Sequence, residues 1–65
     1  MEYIYDVINW ASGKRVDTFT RWEELHNVDF SKCFVLVFRG ESPRDEYVRI
    51  MDKDSCEGWI LARLS

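Results

Sequence analysis

An unbroken run of six apolar residues occupies positions 33–38 and reads Cys-Phe-Val-Leu-Val-Phe. A run this short, rich in β-branched and aromatic residues and followed closely by Gly40, predicts a strand over residues 32–39. Because side chains alternate along a strand, the odd-numbered and even-numbered members of the run lie on opposite faces. Both sets are apolar, so the sequence predicts that both faces of this central strand are covered.

Two segments before the central strand also have strand character. Residues 2–10 combine β-branched and aromatic side chains without glycine or proline, and the pattern leaves open which of their two faces is buried. Residues 15–19 alternate and follow a turn signal at Ser12-Gly13, which predicts an antiparallel hairpin.

A short helix is predicted between the hairpin and the central strand. Thr20 and Glu23 have the spacing of a capping box, in which each side chain accepts a hydrogen bond from the other residue's backbone N–H. Trp22 and Leu25 share a helical face, and we expect Trp22 to anchor this two-turn helix on the sheet.

The remainder of the chain predicts two more strands. Residues 46–52 alternate, and a polar turn around Pro43 precedes them. Residues 59–64 alternate as well, after a turn over residues 52–58. The predicted fold is therefore a single α+β domain over residues 1–65, a small antiparallel sheet of order β-β-α-β-β-β with one short helix on one face.

The second half of the chain resembles the closing strands of small bacterial barrels related to the Src-homology-three fold. The resemblance rests on residues 35–38, 47–50 and 57–62, where Gly58-Trp59 precedes the last predicted strand. It implies a small all-β barrel as the alternative fold. The first half, with its helix, departs from that pattern, and no binding residues are carried over.

Composition narrows the function. The chain has 65 residues and a net charge of −3, with 12 acidic and 9 basic residues interspersed along it. It therefore lacks the basic footprint of most nucleic-acid-binding domains. A core this small is marginal, and a partner is one way to stabilise it. Without a signal peptide or a long apolar run, we predict a cytoplasmic protein.

Candidate chemistry is sparse. Cys33 and Cys56 have no metal-ligand spacing, and His26 has no nucleophile at a recognisable distance, so we predict no metal, no cofactor and no enzyme activity. We expect Cys33 to be buried and Cys56 to be partly exposed. The acidic turn at Asp52, Asp54 and Glu57 lacks the length and the glycine of a calcium loop.

The strongest functional prediction is a protein-binding surface. If the helix covers the face that carries Val48 and Ile50, the opposite face presents a patch of the residue types that dominate protein interfaces. The residues of this predicted site are Tyr47, Arg49, Met51, Trp59, Leu61 and Arg63. They predict a small regulator or inhibitor, of the size that phages and other mobile elements encode, which docks a sheet face or an edge strand on a larger protein or on its own copy.

Two other functions stay open. Arginine and aromatic side chains, including Tyr3 and Tyr5, could stack on single-stranded nucleic acid, although the negative net charge opposes it. The acidic turn could instead belong to a nucleic-acid mimic that blocks a nucleic-acid-binding protein.

Overall fold

The structure, a computed structural model, describes residues 3–40, 44 and 46–65. Its elements are β1 (Tyr3–Asn9), β2 (Arg15–Phe19), a 3₁₀ helix (Trp22–Asn27), β3 (Cys33–Arg39), β4 (Arg49–Met51) and α1 (Lys53–Leu64). The strands form one antiparallel sheet in the order β2-β1-β3-β4. The predicted α+β class is confirmed. Within the described residues the sheet is open, with β2 and β4 at its edges, and does not close into the alternative barrel.

One face of the sheet carries the hydrophobic core. The strand register sets Tyr5 opposite Val37 and Val7 opposite Val35, and Val35 in turn lies opposite Met51. These side chains are almost fully buried, and both helices pack on them through Leu25, Cys56 and Ile60. The two-layer arrangement, sheet and helices, is therefore built on this face only.

The predicted hairpin of β1 and β2 is confirmed. The side chain of Asn9 accepts hydrogen bonds from the backbone N–H groups of Ala11 and Ser12. Gly13 adopts a φ of 70°, in the left-handed region that glycine enters without steric cost. The turn chemistry at Ser12-Gly13 thus fixes how β2 returns along β1.

The prediction of a final strand over residues 59–64 is wrong, because this segment belongs to α1. The side chain of Asp52 accepts from the backbone N–H of Ser55 at 2.9 Å and caps the helix. Cys56 and Ile60, four positions apart, point into the core. That spacing is helical. The alternation of residues 59–64 covers so few positions that it is compatible with a helix as well as with a strand.

The capping box predicted at Thr20 and Glu23 is also wrong. The 3₁₀ helix begins after Arg21 and has no side-chain cap; instead the Arg21 carbonyl accepts from the backbone N–H of Glu24 at 3.1 Å. Leu25, at 1 % exposure, is its buried residue. Trp22 is half-buried and packs against the core.

Some predictions fall on parts of the chain that the structure does not describe. Glu2, at the start of the predicted first strand, and the polar turn around Pro43, apart from Arg44, lie outside the described residues. The described helices include none with the length and apolar character needed to cross a bilayer.

Candidate interaction surfaces

The sheet face opposite the helices is apolar and only partly covered. We call it the open face and define it by the outward side chains of three strands: Ile4, Ile8, Phe34, Leu36, Phe38 and Ile50. Ile50 is 51 % exposed and Phe34 and Leu36 are half-buried. Trp10 extends this surface. Its ring centroid lies 4.5 Å from that of Phe34, and the Trp10 side chain is 59 % exposed. Ile8 and Phe38 are themselves buried, at 9 % and 4 % exposure, so the exposed part of the open face lies mainly at Trp10, Phe34, Leu36 and Ile50.

A neutralised carboxylate lies near the middle of the open face. Asp6 is only 6 % exposed. It accepts hydrogen bonds from the Thr18 hydroxyl at 3.0 Å and from the Arg44 guanidinium, and Arg15 lies 3.9 Å away. A buried carboxylate is costly unless it is paired and hydrogen-bonded, so this network is what lets an acid occupy an otherwise apolar face.

Arg44 serves a second purpose on the same face. Its guanidinium carbon lies 5.8 Å from the centroid of the Phe38 ring, within the range of a cation–π contact. The two contacts of Arg44, with Asp6 and with Phe38, tie this position of the β3–β4 connection to one end of the open face.

The structure divides the predicted site between different surfaces. Tyr47 is 52 % exposed, but Met51 is 0 % exposed and lies in the core, so its expected exposure is wrong. Leu61 lies on the solvent side of α1 at 65 % exposure. The helices cover the face of β4 that carries Arg49 and Met51. This is the reverse of the prediction, in which the helix covers the face of Ile50. Ile50 therefore faces away from the helices.

Three residues of the predicted site do come together, at the contact between α1 and the sheet. The Arg63 guanidinium carbon lies 3.6 Å from the Trp59 ring centroid, and that of Arg49 lies 5.4 Å from it. The Trp59 indole also packs edge-on against Tyr3 and Tyr5. We call Tyr3, Tyr5, Arg49, Trp59 and Arg63 the aromatic clamp.

The aromatic clamp is part of the packing of the fold. The Trp59 indole N–H donates to the Tyr5 hydroxyl at 3.0 Å, and Arg63 donates to the Trp59 carbonyl at 3.2 Å. Both Trp59 and Arg63 are half-buried. The Arg63 guanidinium lies over the Trp59 ring, so the clamp holds α1 on the sheet.

The two cysteines are buried and free. Cys56 is 1 % exposed, so the expected partial exposure is wrong. Burial raises the pKa of the Cys56 thiol to about 11, and the neighbouring Glu57 carboxylate adds to the rise. A thiol with so high a pKa is mostly protonated near neutral pH and is a poor nucleophile.

The predicted acidic turn at Asp52, Asp54 and Glu57 is the N-terminal part of α1, with Asp52 as the N-cap. Hydrogen bonds from Ser55 lower the pKa of the Asp52 carboxyl, as expected for an N-cap whose charged form is the better acceptor. Asp54 and Glu57 are exposed on the helix. Within the described residues, no three side chains of metal-ligating type are clustered closely enough to hold an ion.

Sequence reasoning missed the residues that define the open face, because both faces of the strands are apolar. Asp6 was the residue that could have identified this face. A single carboxylate among the β-branched and aromatic residues of β1 indicates which face of the strand is not the core. The chain matches no protein-family model, and neither the curated proteins nor the solved structures contain a significant match to it.

Proposed function

We propose that this chain is a small protein-binding module that acts without catalysis and docks through its open face. The observation that supports the proposal is the unequal cover of the sheet: helices seal one apolar face, and the other keeps Ile50 and Trp10 more than half exposed. Exposed apolar surface of this kind is a common mark of an interaction site. Regulation or inhibition of the bound protein is the role that we propose for such a module.

The composition of the open face suits this role. Trp10 provides a large ring with a polar N–H, the side-chain type most enriched among residues that dominate binding energy. Leu36 and Ile50 are neighbours across β3 and β4 and provide an aliphatic centre. Arg15, the first residue of β2, has a side chain that is 56 % exposed and would belong to a polar rim.

A matched pair of substitutions tests the proposal. Ile50→Glu places a charge on the open face, whereas Leu61→Glu places the same charge on an exposed leucine of α1. We expect immobilised wild type and Leu61→Glu to capture the same protein from the native source, and Ile50→Glu to lose it. Capture that is lost with Leu61→Glu and kept with Ile50→Glu would contradict the proposal and would indicate a binding site on α1.

The aromatic clamp favours a second candidate, binding of single-stranded nucleic acid, because it gathers two arginines and three aromatic rings. Bases need free ring faces to stack on, and here guanidinium groups lie over the Trp59 and Tyr3 rings. A fluorescence titration with oligonucleotides at low and high salt separates the two functions. Our proposal predicts negligible binding, and tight binding with a steep salt dependence would support the nucleic-acid function instead.

The acidic-mimic alternative is tested on α1. Asp52 has to be left intact because it caps the helix, so the informative variant is Asp54→Lys combined with Glu57→Lys. Under our proposal this variant keeps the captured protein. Its loss would favour a mimic that presents carboxylates in place of phosphates.

A further inference from the structure

We infer that the partner of the open face presents a protein segment that combines apolar side chains with carboxylates. Its apolar residues cover the exposed part of the face, and one of its carboxylates pairs with Arg15. The inference rests on the proposed function, because it assigns the chemistry of the partner of the same surface. It is carried by the distribution of charge between the two sides of the sheet and by the position of Arg15.

Carboxylates are concentrated on the helical side of the sheet. The 3₁₀ helix and α1, with their capping residues Arg21 and Asp52, carry five carboxylates and three lysine or arginine side chains. Asp17 lies opposite Val7, which belongs to the core face, and therefore lies on the helical side as well. On a chain whose net charge is −3, an acidic partner is disfavoured by the helical side.

The open face carries charge of the opposite sign. Among the described residues, its charged cluster consists of Asp6, Arg15 and Arg44, so that two guanidinium groups meet one carboxylate. Arg44 donates a hydrogen bond to Asp6, whereas Arg15 approaches the same carboxylate only to 3.9 Å, beyond hydrogen-bond distance. The Arg15 side chain is 56 % exposed. It is therefore the guanidinium that can still pair with a carboxylate of a partner.

Arg15 lies beside the exposed apolar part of the open face. The register sets Arg15 opposite Ile8 in β1 and Ile8 opposite Phe34 in β3. Two strand spacings, about 10 Å, therefore separate Arg15 from Phe34 across the sheet, and Trp10 packs against Phe34. A partner segment that covers Phe34 and Trp10 can thus place a carboxylate within reach of the long Arg15 side chain. An arginine–carboxylate pair at the rim of an apolar contact fixes the orientation of the partner.

Three synthetic peptides test the inference by NMR titration of the isotope-labelled chain. They share the same leucine and phenylalanine positions and carry glutamate, glutamine or lysine at every other position. We expect the glutamate peptide to bind in the millimolar range or more tightly and to shift the Trp10 indole and Ile50 methyl signals. At low salt it should bind at least about tenfold more tightly than the lysine peptide. High salt should reduce this difference, because it screens pairs of exposed charges.

Arg15→Gln tests the assigned residue, and it leaves Arg44 to pair with Asp6. We expect this variant to bind the glutamate peptide about three- to fivefold more weakly than wild type, as is usual for the loss of a solvated ion pair. Arg21→Gln is the matched control, because the Arg21 side chain is 71 % exposed and lies outside the open face. It should bind like wild type, and circular dichroism confirms that both variants are folded. Equal affinities for Arg15→Gln and wild type would overturn the role of Arg15.

The other outcomes separate the inference from the proposed function. If the glutamine peptide binds as tightly as the glutamate peptide and shifts the same Trp10 and Ile50 signals, the acidic partner is overturned and the docking face is supported. A glutamate peptide that does not bind, or that binds more weakly than the lysine peptide, overturns the inference, and the capture experiment then decides the proposed function by itself. Shifts confined to Leu61 and Leu64 on α1 would contradict both.

Discussion

The indole N–H of Trp59 donates a hydrogen bond to the hydroxyl of Tyr5 at 3.0 Å and joins α1 to β1 across 54 positions of the chain. Tyr5 lies on the core face of β1, opposite Val37. This contact, with the packing of Ile60 in the core, sets α1 on that face. The helices therefore cover this face and not the opposite one, which is the surface that we propose as the docking site.

The Trp59–Tyr5 contact should contribute measurably to stability. Trp59→Phe and Tyr5→Phe each remove one partner of the hydrogen bond, and the double variant completes a thermodynamic cycle. We expect a coupling free energy of about 1 kcal/mol from urea unfolding, as is usual for a partly buried hydrogen bond. A coupling indistinguishable from zero would mean that the two groups do not interact in solution.

The buried carboxylate of the open face should matter more than an exposed ion pair. Asp6→Asn removes the charge that Arg44 and Thr18 stabilise, and we expect it to lower the free energy of unfolding by about 1–2 kcal/mol, since Arg44 is partly solvated. Glu23→Gln is the control, because Glu23 and Arg21 form a 3.5 Å pair with both side chains exposed. We expect Glu23→Gln to lower the free energy of unfolding by less than about 0.5 kcal/mol. Equal losses for the two variants would contradict the stabilising role of the Asp6 network.

The N-cap of α1 should make stability depend on pH at the acid end. Because the pKa of Asp52 is lower in the folded chain than its ordinary value of 3.8, its contribution is complete above that value and is lost as the pH falls below it. Asp52→Asn keeps an acceptor for Ser55 but does not titrate. Unfolding free energies followed from pH 6 downward should therefore fall less steeply for Asp52→Asn than for wild type. Parallel curves would show that the cap is not formed.

The thiols should be protected in the native protein. Cys33 and Cys56 are 8 % and 1 % exposed, and the pKa of Cys56 is about 11, so little of the Cys56 thiol is reactive thiolate near pH 8. We expect a thiol-specific chromophoric reagent to label neither residue in buffer and both in urea. Rapid labelling in buffer that mass spectrometry locates at Cys56 would contradict the burial of that thiol in the core.

The sequence predicted the first three strands well because their signals are local, whereas only Arg49–Met51 of the strand predicted over residues 46–52 is a strand. The run at residues 33–38 and the turn at Ser12-Gly13 led to β3 and to the hairpin, and both agree with the structure. The prediction for the last element was wrong because the pattern of residues 59–64 is compatible with the period of a helix and with that of a strand. The cap that decides for a helix, Asp52 with Ser55, lies upstream of that segment, in a stretch interpreted as a turn.

The site was harder to predict than the fold, for a related reason. Both faces of β3 and β4 carry apolar side chains, so alternation shows that a face exists without showing which one the helix covers. That choice depends on a long-range contact, Trp59 with Tyr5, which no local pattern contains. Reversing the choice moved Met51 from the surface to the core and Ile50 from the core to the surface.

The most direct test of the open face as a docking surface is methyl NMR with a water-soluble paramagnetic agent, recorded on the chain alone and after addition of the captured protein. We predict that the methyl signals of Leu36 and Ile50 are broadened in the chain alone and become protected in the complex, while those of Leu61 and Leu64 stay broadened in both samples. Protection that develops at Leu61 and Leu64, with Leu36 and Ile50 equally broadened in both samples, would contradict the account.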